Sequence, residues 1–189
     1  SLLRGRDGHG VFLLIAHAGT REVSVIDREK LHDRLARVAK NEKVTEVSKS
    51  AADVPNDLSF LVSIRRRVRL PYDGTRGLAI IGSKAVVPFY FAEGVAFLNF
   101  NDPGSTPAVL QLAPLPDLTK DRARRGEMLF NDASMCFQMW QSCASCHPDT
   151  RTDALNWDLL NDGIGNPKQS KSLLLCDKTP PTMAKGVRP

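Results

Sequence analysis

The residues best suited to chemistry are two cysteines and a histidine in the segment Cys143-Ala144-Ser145-Cys146-His147. Two cysteines three apart, with a histidine directly after the second, form the attachment signature of haem c. If the segment is helical, positions i, i+3 and i+4 lie on one face, so both thiols can reach one porphyrin. We therefore predict Cys143 and Cys146 as covalent haem anchors and His147 as the proximal iron ligand, which makes the chain a redox protein.

Two other uses of a C-x-x-C motif, structural zinc binding and thioredoxin-like exchange, find less support in the sequence. A structural zinc site needs four ligands, usually as two pairs, and the remaining cysteines, Cys136 and Cys176, form no second pair. The other histidines lie far upstream, at His9, His17 and His32. A thioredoxin-like motif follows a strand in a βαβ pattern, which does not precede this one. Haem c attachment is therefore the favoured interpretation.

The sixth ligand of the iron would separate electron transfer from peroxide chemistry. A second strong ligand favours electron transfer, whereas an open position permits peroxide binding. Met183 is the candidate distal ligand, because methionine paired with histidine raises the haem potential. Trp140 is expected to pack against the porphyrin. Arg151 and Arg188 are candidates for ion pairs with the haem propionates, to which a guanidinium is well suited.

Four aspartates follow the motif within a short stretch, at Asp149, Asp153, Asp158 and Asp162. Together with loop carbonyls they could bind Ca²⁺, although their spacing is not that of an EF-hand. Aspartates that cap turns in solvated loops explain the same pattern and are the favoured interpretation. Calcium is kept as a candidate second cofactor.

Composition places the chain among ordinary globular proteins. It has 189 residues, a net charge of +5 and 42% hydrophobic residues, which suffices for one or two domains. The densest basic segment, Arg65-Arg66-Arg67-Val68-Arg69, is interpreted as a solvated strand edge or loop rather than a nucleic-acid or lipid contact. No segment reaches the roughly 18 apolar residues of a membrane span, so we expect no integral membrane segment.

The expected location follows from the cofactor. Haem c is attached outside the cytoplasm, and the chain begins at Ser1 with no visible signal peptide. We therefore expect a trimmed or mature fragment of a longer exported precursor, located in the periplasm or outside the cell. In that compartment Cys136 and Cys176 could form a disulfide, although two free buried cysteines fit the sequence almost as well.

Residues 1–101 are predicted to be β-rich. Short apolar runs bounded by turn residues predict strands at 12–16, 22–26, 58–64, 77–81, 85–91 and 95–100. Two of the hairpins form a weak repeat, in which Val23 aligns with Val95 at an offset of 72 residues (95 minus 23). A helix at 27–40, with Asp27 as its N-cap, followed by a polar loop at 41–53, is predicted to be inserted in the first copy.

The chain changes character after residue 101. Residues 102–118 carry four prolines and predict a linker. Residues 119–189 are expected to open with a helix near 119–130, with Asp121 complementing the helix dipole at its start. Short helices and long, glycine-rich loops around a cofactor are typical of a cytochrome c core.

The residues around the motif resemble a known family. The segment Arg125-Gly126-Glu127-Met128-Leu129-Phe130 resembles the R-G-x-x-L-F opening of bacterial di-haem cytochrome c peroxidase domains. Trp140 through Lys168 resembles, nearly unbroken, the pattern W-Q-S-C-x-x-C-H-P-D-G-R-x-D-G-L-N-W-D-L-x-N-D-G-I-G-N-P-K of one subgroup. In that subgroup a YVTN-type β-propeller precedes the cytochrome domain, and residues 71–79 resemble the start of a propeller blade.

The resemblance implies a multi-domain chain. It would consist of an all-β, propeller-like part at 1–101, a linker at 102–118 and an all-α cytochrome c-like domain at 119–189. There are departures from the family, since Thr150 and Ala154 stand where the subgroup has glycine, which changes loop geometry. Only one C-x-x-C-H motif is present, so a second haem and further propeller blades would lie outside this chain.

The implied function is electron transfer from one covalent haem c to a partner haem or acceptor. The partner would be a redox protein or a second haem domain, and no nucleic acid is expected to bind. Two alternatives remain: a peroxidase-type oxidoreductase with this haem as the peroxide site, and a propeller binding module with a structural haem.

Overall fold

The structure, a computed structural model, describes residues 2–7, 10–158 and 163–180. The described residues form two compact units, one up to Met128 and the other from Leu129 onward. The first unit contains two four-stranded sheets, and the second contains one two-stranded sheet among short helical turns. Among the residues described, no helix is both long enough and apolar enough to cross a membrane.

Sheet A of the first unit is antiparallel, with its strands in chain order. Its strands are β1 (Leu2–Asp7), β2 (Gly10–His17), β3 (Glu22–Asp27) and β4 (Arg65–Arg69). Leu14 and Ala16 of β2 are buried, as the two-residue period of a strand with one core-facing side requires. His17 lies opposite Glu22 across β2 and β3, which confirms the predicted hairpin.

Sheet B repeats this arrangement. Its strands are β5 (Ala79–Ile81), β6 (Lys84–Phe89), β7 (Gly94–Asn99) and β8 (Ala108–Gln111), again antiparallel and in chain order. Ile81 and Lys84 face each other around a two-residue connection, in which Gly82 adopts a φ of +58° that glycine tolerates best. The strands predicted around 77–81, 85–91 and 95–100 are confirmed, whereas β8 was missed and lies within the proline-rich stretch 102–118.

The repeat detected in the sequence is also a repeat of strand register. Phe12 pairs with Asp27 across β2 and β3, and Lys84 pairs with Asn99 across β6 and β7. Both partners are displaced by the same 72 residues (84 minus 12 and 99 minus 27). The register of the central hairpin is therefore the same in the two sheets. The first hairpins differ, since Phe12 faces Gly5 whereas Lys84 faces Ile81, and the connection between the third and fourth strands is much longer in sheet A.

That connection in sheet A contains helix α1 (Arg28–Ala39). The Asp27 carboxylate accepts a hydrogen bond from the backbone N–H of Lys30 at 3.0 Å, as an N-cap does. Val38, near the end of the helix, is 1% exposed and anchors its apolar side. The predicted inserted helix and its N-cap are confirmed, and residues 41–53 form the predicted loop without strands or helices.

The strand predicted at residues 58–64 is wrong, because these residues form consecutive turns. Asp57 accepts hydrogen bonds from both the backbone N–H and the hydroxyl of Ser59, at 2.8 and 2.6 Å. The N–H groups of Phe60 and Val62 bond to carbonyls three residues earlier. Local turn bonds therefore use donors that a strand would need for its ladder.

One hydrophobic core is shared by the two sheets. Its buried members come from β2, β3, β6 and β7 and from segments that precede or follow strands: Leu14, Ala16, Val23, Val25, Leu70, Leu78, Ala85, Val87, Phe89, Ala92, Ala96, Leu98 and Phe100. Phe12 and Phe100 meet edge to face with ring centroids 5.9 Å apart. Burial of such a set of apolar side chains is the main stabilising term for the unit.

The helix predicted near 119–130 is confirmed as α2 (Arg122–Asn131). Asp121 accepts the N–H of Arg124 at 2.8 Å. The Arg76 and Arg124 guanidinium carbons each lie 4.0 Å from the centroid of the Tyr90 ring, and Glu127 accepts a hydrogen bond from each of these arginines, at 3.1 and 3.2 Å. This arginine–tyrosine stack ties the start of α2 to the first unit.

The propeller-like architecture expected for residues 1–101 is wrong. The described residues contain no closed barrel and no propeller. A propeller sets about four to eight blades around a central channel, whereas sheets A and B bury their apolar faces in one common core. Both sheets remain open, so each retains edge strands.

The all-α cytochrome domain expected for residues 119–189 is wrong as well. Within the described part of the second unit, α3 (Cys143–Cys146) is four residues long, and strands β9 (Asn156–Trp157) and β10 (Lys168–Gln169) form a short hairpin. Backbone with positive φ at Gln138 and Asp149 interrupts helical geometry every few residues. The unit consists mainly of turns and loops.

Candidate functional site

Cys143 through Cys146 of the C-x-x-C-H motif form the single helical turn α3, and His147 follows directly after it. The backbone N–H of Ser142 donates to the hydroxyl of Ser145 at 3.0 Å, and the N–H of Ser145 donates to the Ser142 carbonyl, also at 3.0 Å. These bonds satisfy backbone groups at the start of the turn. At its end the His147 N–H bonds to the Cys143 carbonyl at 3.0 Å, but His147 itself has a φ of −123° and a ψ of 60°. The predicted helical placement is therefore confirmed for the two cysteines and not for the histidine.

The two motif thiols differ in environment. Cys143 is exposed and Cys146 is half-buried, and both are free. Burial raises the pKa of the Cys146 thiol, and the nearby Asp153 carboxylate raises it further. Cys146 therefore stays protonated over a wider pH range than an ordinary cysteine.

His147 is held by its own loop. Its Nδ1 lies 3.2 Å from the backbone carbonyl of Arg151. In the tautomer with hydrogen on Nδ1, that nitrogen donates to the carbonyl, and the lone pair of Nε2 is left for a metal ion. Histidine ligands of metals usually donate their second ring nitrogen to such an acceptor, so the ring has the chemistry of an iron ligand.

A hydrogen-bond network centred on Asp153 positions the end of the motif, and no pattern in the sequence indicated it. The Cys146 carbonyl accepts the Asp153 N–H and lies within hydrogen-bond distance of the Ser170 hydroxyl, each at 3.1 Å. The Asp153 carboxylate lies 2.7 Å from the same hydroxyl and accepts the indole N–H of Trp157 at 2.8 Å. The Ser170 hydroxyl and neighbouring backbone N–H groups lower the pKa of Asp153.

The remaining predicted site residues are placed as follows. Trp140 is 68% exposed. The Arg151 side chain is exposed, and its contact with the motif is made by its backbone carbonyl. Met183 and Arg188 lie outside the described residues, so their predicted roles stay predictions.

The aspartate cluster proposed for calcium is only partly described. Asp162 lies outside the described residues, and Asp158 accepts the Gly165 N–H at 2.7 Å. In the parts of the chain that the structure describes, no three histidine, cysteine, aspartate or glutamate side chains form a group that could hold a metal ion. Calcium binding stays a prediction.

Cys136 and Cys176 are free thiols, so the suggested disulfide between them is not formed. Cys136 is half-buried and Cys176 is exposed, which also differs from the alternative of two buried cysteines. Neither adds a ligand to the motif.

The second unit has an unusually apolar surface. Of its described residues, Ala133 alone is buried. Several large apolar side chains are more than half exposed: Met135, Phe137, Trp140, Leu155, Ile164 and Leu175. A unit this small buries too little surface to be stable without help. Paired thiols, an oriented imidazole and apolar side chains for a flat hydrophobic ring are the groups that haem c requires, so the residues present fit this cofactor.

Comparison with known proteins gives one partial match. The chain is similar to the hydrazine synthase gamma subunit of Kuenenia stuttgartiensis, with 35% identity over 75 residues. The aligned region covers 39% of this chain and 21% of that protein, so the chain spans about a fifth of the length of the curated relative. No family model matches the chain, and no solved structure matches it.

Proposed function

We propose that the second unit binds haem c covalently and that the protein transfers electrons through it. The observation that carries this proposal is the bond between His147 Nδ1 and the Arg151 carbonyl. With hydrogen on Nδ1, this bond leaves the lone pair of Nε2 for the iron, in the residue that directly follows two free thiols on one helical turn. When bound, haem c supplies an iron that cycles between its ferric and ferrous states.

The protein's own groups would attach and orient the cofactor. Cys143 and Cys146 would supply the thioether sulfurs, and His147 would supply the axial nitrogen. The bond from the Asp153 N–H to the Cys146 carbonyl, and the bond of the Ser170 hydroxyl to the Asp153 carboxylate at 2.7 Å, hold the end of the turn in place. Exposed apolar side chains of the second unit, Trp140 among them, would cover the ring and exclude water from it.

The wider role is also a proposal. The resemblance to di-haem cytochrome c peroxidase domains and the partial similarity to a subunit of hydrazine synthase support a place beside a redox partner or a second haem domain. Attachment of haem c requires export, so we infer a periplasmic or extracellular location. Calcium and the distal ligand Met183 belong to the same proposal.

The test is expression of the chain with an export signal in a bacterium that matures c-type cytochromes. We expect a pyridine haemochrome spectrum with one haem c per chain, retained after acid–acetone extraction. His147→Ala should remove the absorption spectrum of the histidine-ligated iron, whereas His32→Ala, on the exposed side of α1, should leave it unchanged.

Two results would contradict the proposal. Absence of covalent haem would remove the cofactor, and an unchanged spectrum in His147→Ala would remove the ligand. Reduction of peroxide at a rate comparable to electron exchange with a donor would replace electron transfer by the peroxidase alternative.

A further inference from the structure

The first unit contains a cavity of about 480 Å³ that none of the functions above uses. It is lined by Arg21, Arg69, Leu70, Pro71, Thr106, Pro107 and Val109. These residues come from one end of sheet A and from the segment leading into β8. Its volume lies in the range of about 300–1,000 Å³ that is typical of small-molecule sites.

Two arginines are among the residues that line the cavity. Arg21 donates from Nε to the Asp73 carboxylate at 2.5 Å, which fixes its position and engages one of its five N–H donors. Arg69 forms no ion pair with any carboxylate whose side chain the structure describes. Glu22 faces Arg69 across β3 and β4, but its ion pair is with Arg67, at 3.9 Å. Among the described side chains, Asp73 is thus the carboxylate ion-paired to one of the two arginines, and donors remain available for an anion.

The backbone around Arg21 is built to hold this arrangement. Arg21 adopts a φ of +55°, which is unfavourable for a residue with a long side chain. Its carbonyl accepts the Leu70 N–H at 2.7 Å, so the turn that carries Arg21 is bonded to the end of the strand that carries Arg69. The two arginines are thus placed by the same short stretch of backbone.

The rest of the lining is mostly apolar. Leu70 is 2% exposed, and two prolines and Val109 complete an apolar wall, with the Thr106 hydroxyl as a further polar group. Inorganic anions would use the guanidinium groups but leave this wall without a contact. We propose that the cavity binds a small organic carboxylate, with its anionic group at Arg21 and Arg69 and an apolar body against Leu70 and Val109.

The test is an NMR titration of the full chain with sodium benzoate at physiological salt, with neutral benzamide as the matched ligand. We expect saturable shifts of the Leu70 and Val109 amides with benzoate and none with benzamide. Arg69→Gln should raise the benzoate Kd about tenfold, as loss of a charge-assisted hydrogen bond does.

Arg67→Gln is the matched control, because Arg67 lies on the same strand but does not line the cavity; its Kd should stay within about twofold of the unchanged chain. Arg69→Lys keeps the charge and should weaken binding less than Arg69→Gln, since it loses only the planar fork of donors. No saturable shift with benzoate, equal binding of benzamide, or equal weakening by Arg67→Gln and Arg69→Gln would overturn the assignment. Because the cavity lies in the first unit, none of these outcomes depends on haem in the second.

Discussion

Replacing Ala154 with glycine should stabilise the second unit. Ala154 has a φ of +59°, in the left-handed region that a Cβ atom makes unfavourable. Its side chain is exposed, and its two hydrogen bonds are made by the backbone, to Thr152 Oγ1 at 3.0 Å and from Gln169 Nε2 at 3.1 Å. Glycine keeps both bonds and removes the strain.

The magnitude follows from two opposing terms. Left-handed backbone costs an L-residue roughly 1–2 kcal/mol. The greater freedom of glycine in the unfolded chain costs about 0.4–1 kcal/mol. The difference raises the free energy of unfolding by about 0.5–1 kcal/mol, which for a unit of this size raises Tm by roughly 2–8 °C.

The assay is thermal unfolding of the full chain, expressed with the haem proposed above because the second unit buries too little surface to be stable alone, and followed by tryptophan fluorescence. Both tryptophans of the chain, Trp140 and Trp157, belong to the second unit, so this signal follows that unit. Ala144→Gly makes the same chemical change inside α3 and should instead lower the stability by about 0.5–1 kcal/mol. An unchanged or lowered Tm in Ala154→Gly would refute the argument from backbone strain.

Two further predictions concern the first unit. Gly74→Ala should destabilise it by about 2–4 kcal/mol in urea unfolding. The reason is that Gly74 has a φ of +84° and that an added Cβ would lie 2.7 Å from the Tyr90 Cβ. Gly77→Ala is the control and should change the stability far less, because an added Cβ there would have no atom within 4 Å. Burial lowers the pKa of His17 below its usual 6.5, and Arg67 contributes to this shift. The stability that neutral His17 contributes is therefore fully present above pH 6.5 and is lost as the pH falls from there through the lowered pKa. His17→Gln should flatten the decline between pH 7 and 5, and an identical decline in both proteins would exclude His17 as its source.

In the first unit, the features that the sequence predicted correctly depend on residues that are close together in the chain. Asp27 caps α1 through a bond to a residue three positions away, and both hairpins close between strands that are neighbours in the chain. The prediction of a strand at 58–64 was wrong because Asp57 and Ser59 form turn hydrogen bonds. The hydrophobic content of the segment does not indicate these bonds. Strand β8 was not predicted because it is a short edge strand among prolines, and a proline-rich segment usually indicates a linker.

Tertiary arrangement was not predictable from the same signals. Each sheet could be expected from its hairpins, but whether sheets stack around a channel or share one core depends on contacts between residues far apart in sequence. In the second unit, the pairing of Asp153 with Ser170 joins positions 17 residues apart, and their residue types are common in any loop. The helical turn of the two motif cysteines was predictable because it depends on residues three positions apart.

Two loop residues of the second unit have a backbone conformation that glycine favours. Thr150 and Ala154 stand where the resembling subgroup has glycine, and both have positive φ, of 60° and 59°. The backbone at both positions therefore has the conformation that glycine favours.

The shared register of the two central hairpins has an evolutionary consequence. A displacement of 72 residues that holds for both members of every pair in β2–β3 and β6–β7 is the pattern that duplication of a hairpin leaves. The outer strands pair in different registers in the two sheets, and helix α1 with the turns after it occupies the connection between the third and fourth strands of sheet A alone. Change thus accumulated around the central hairpin, where it did not disturb the pairing of that hairpin.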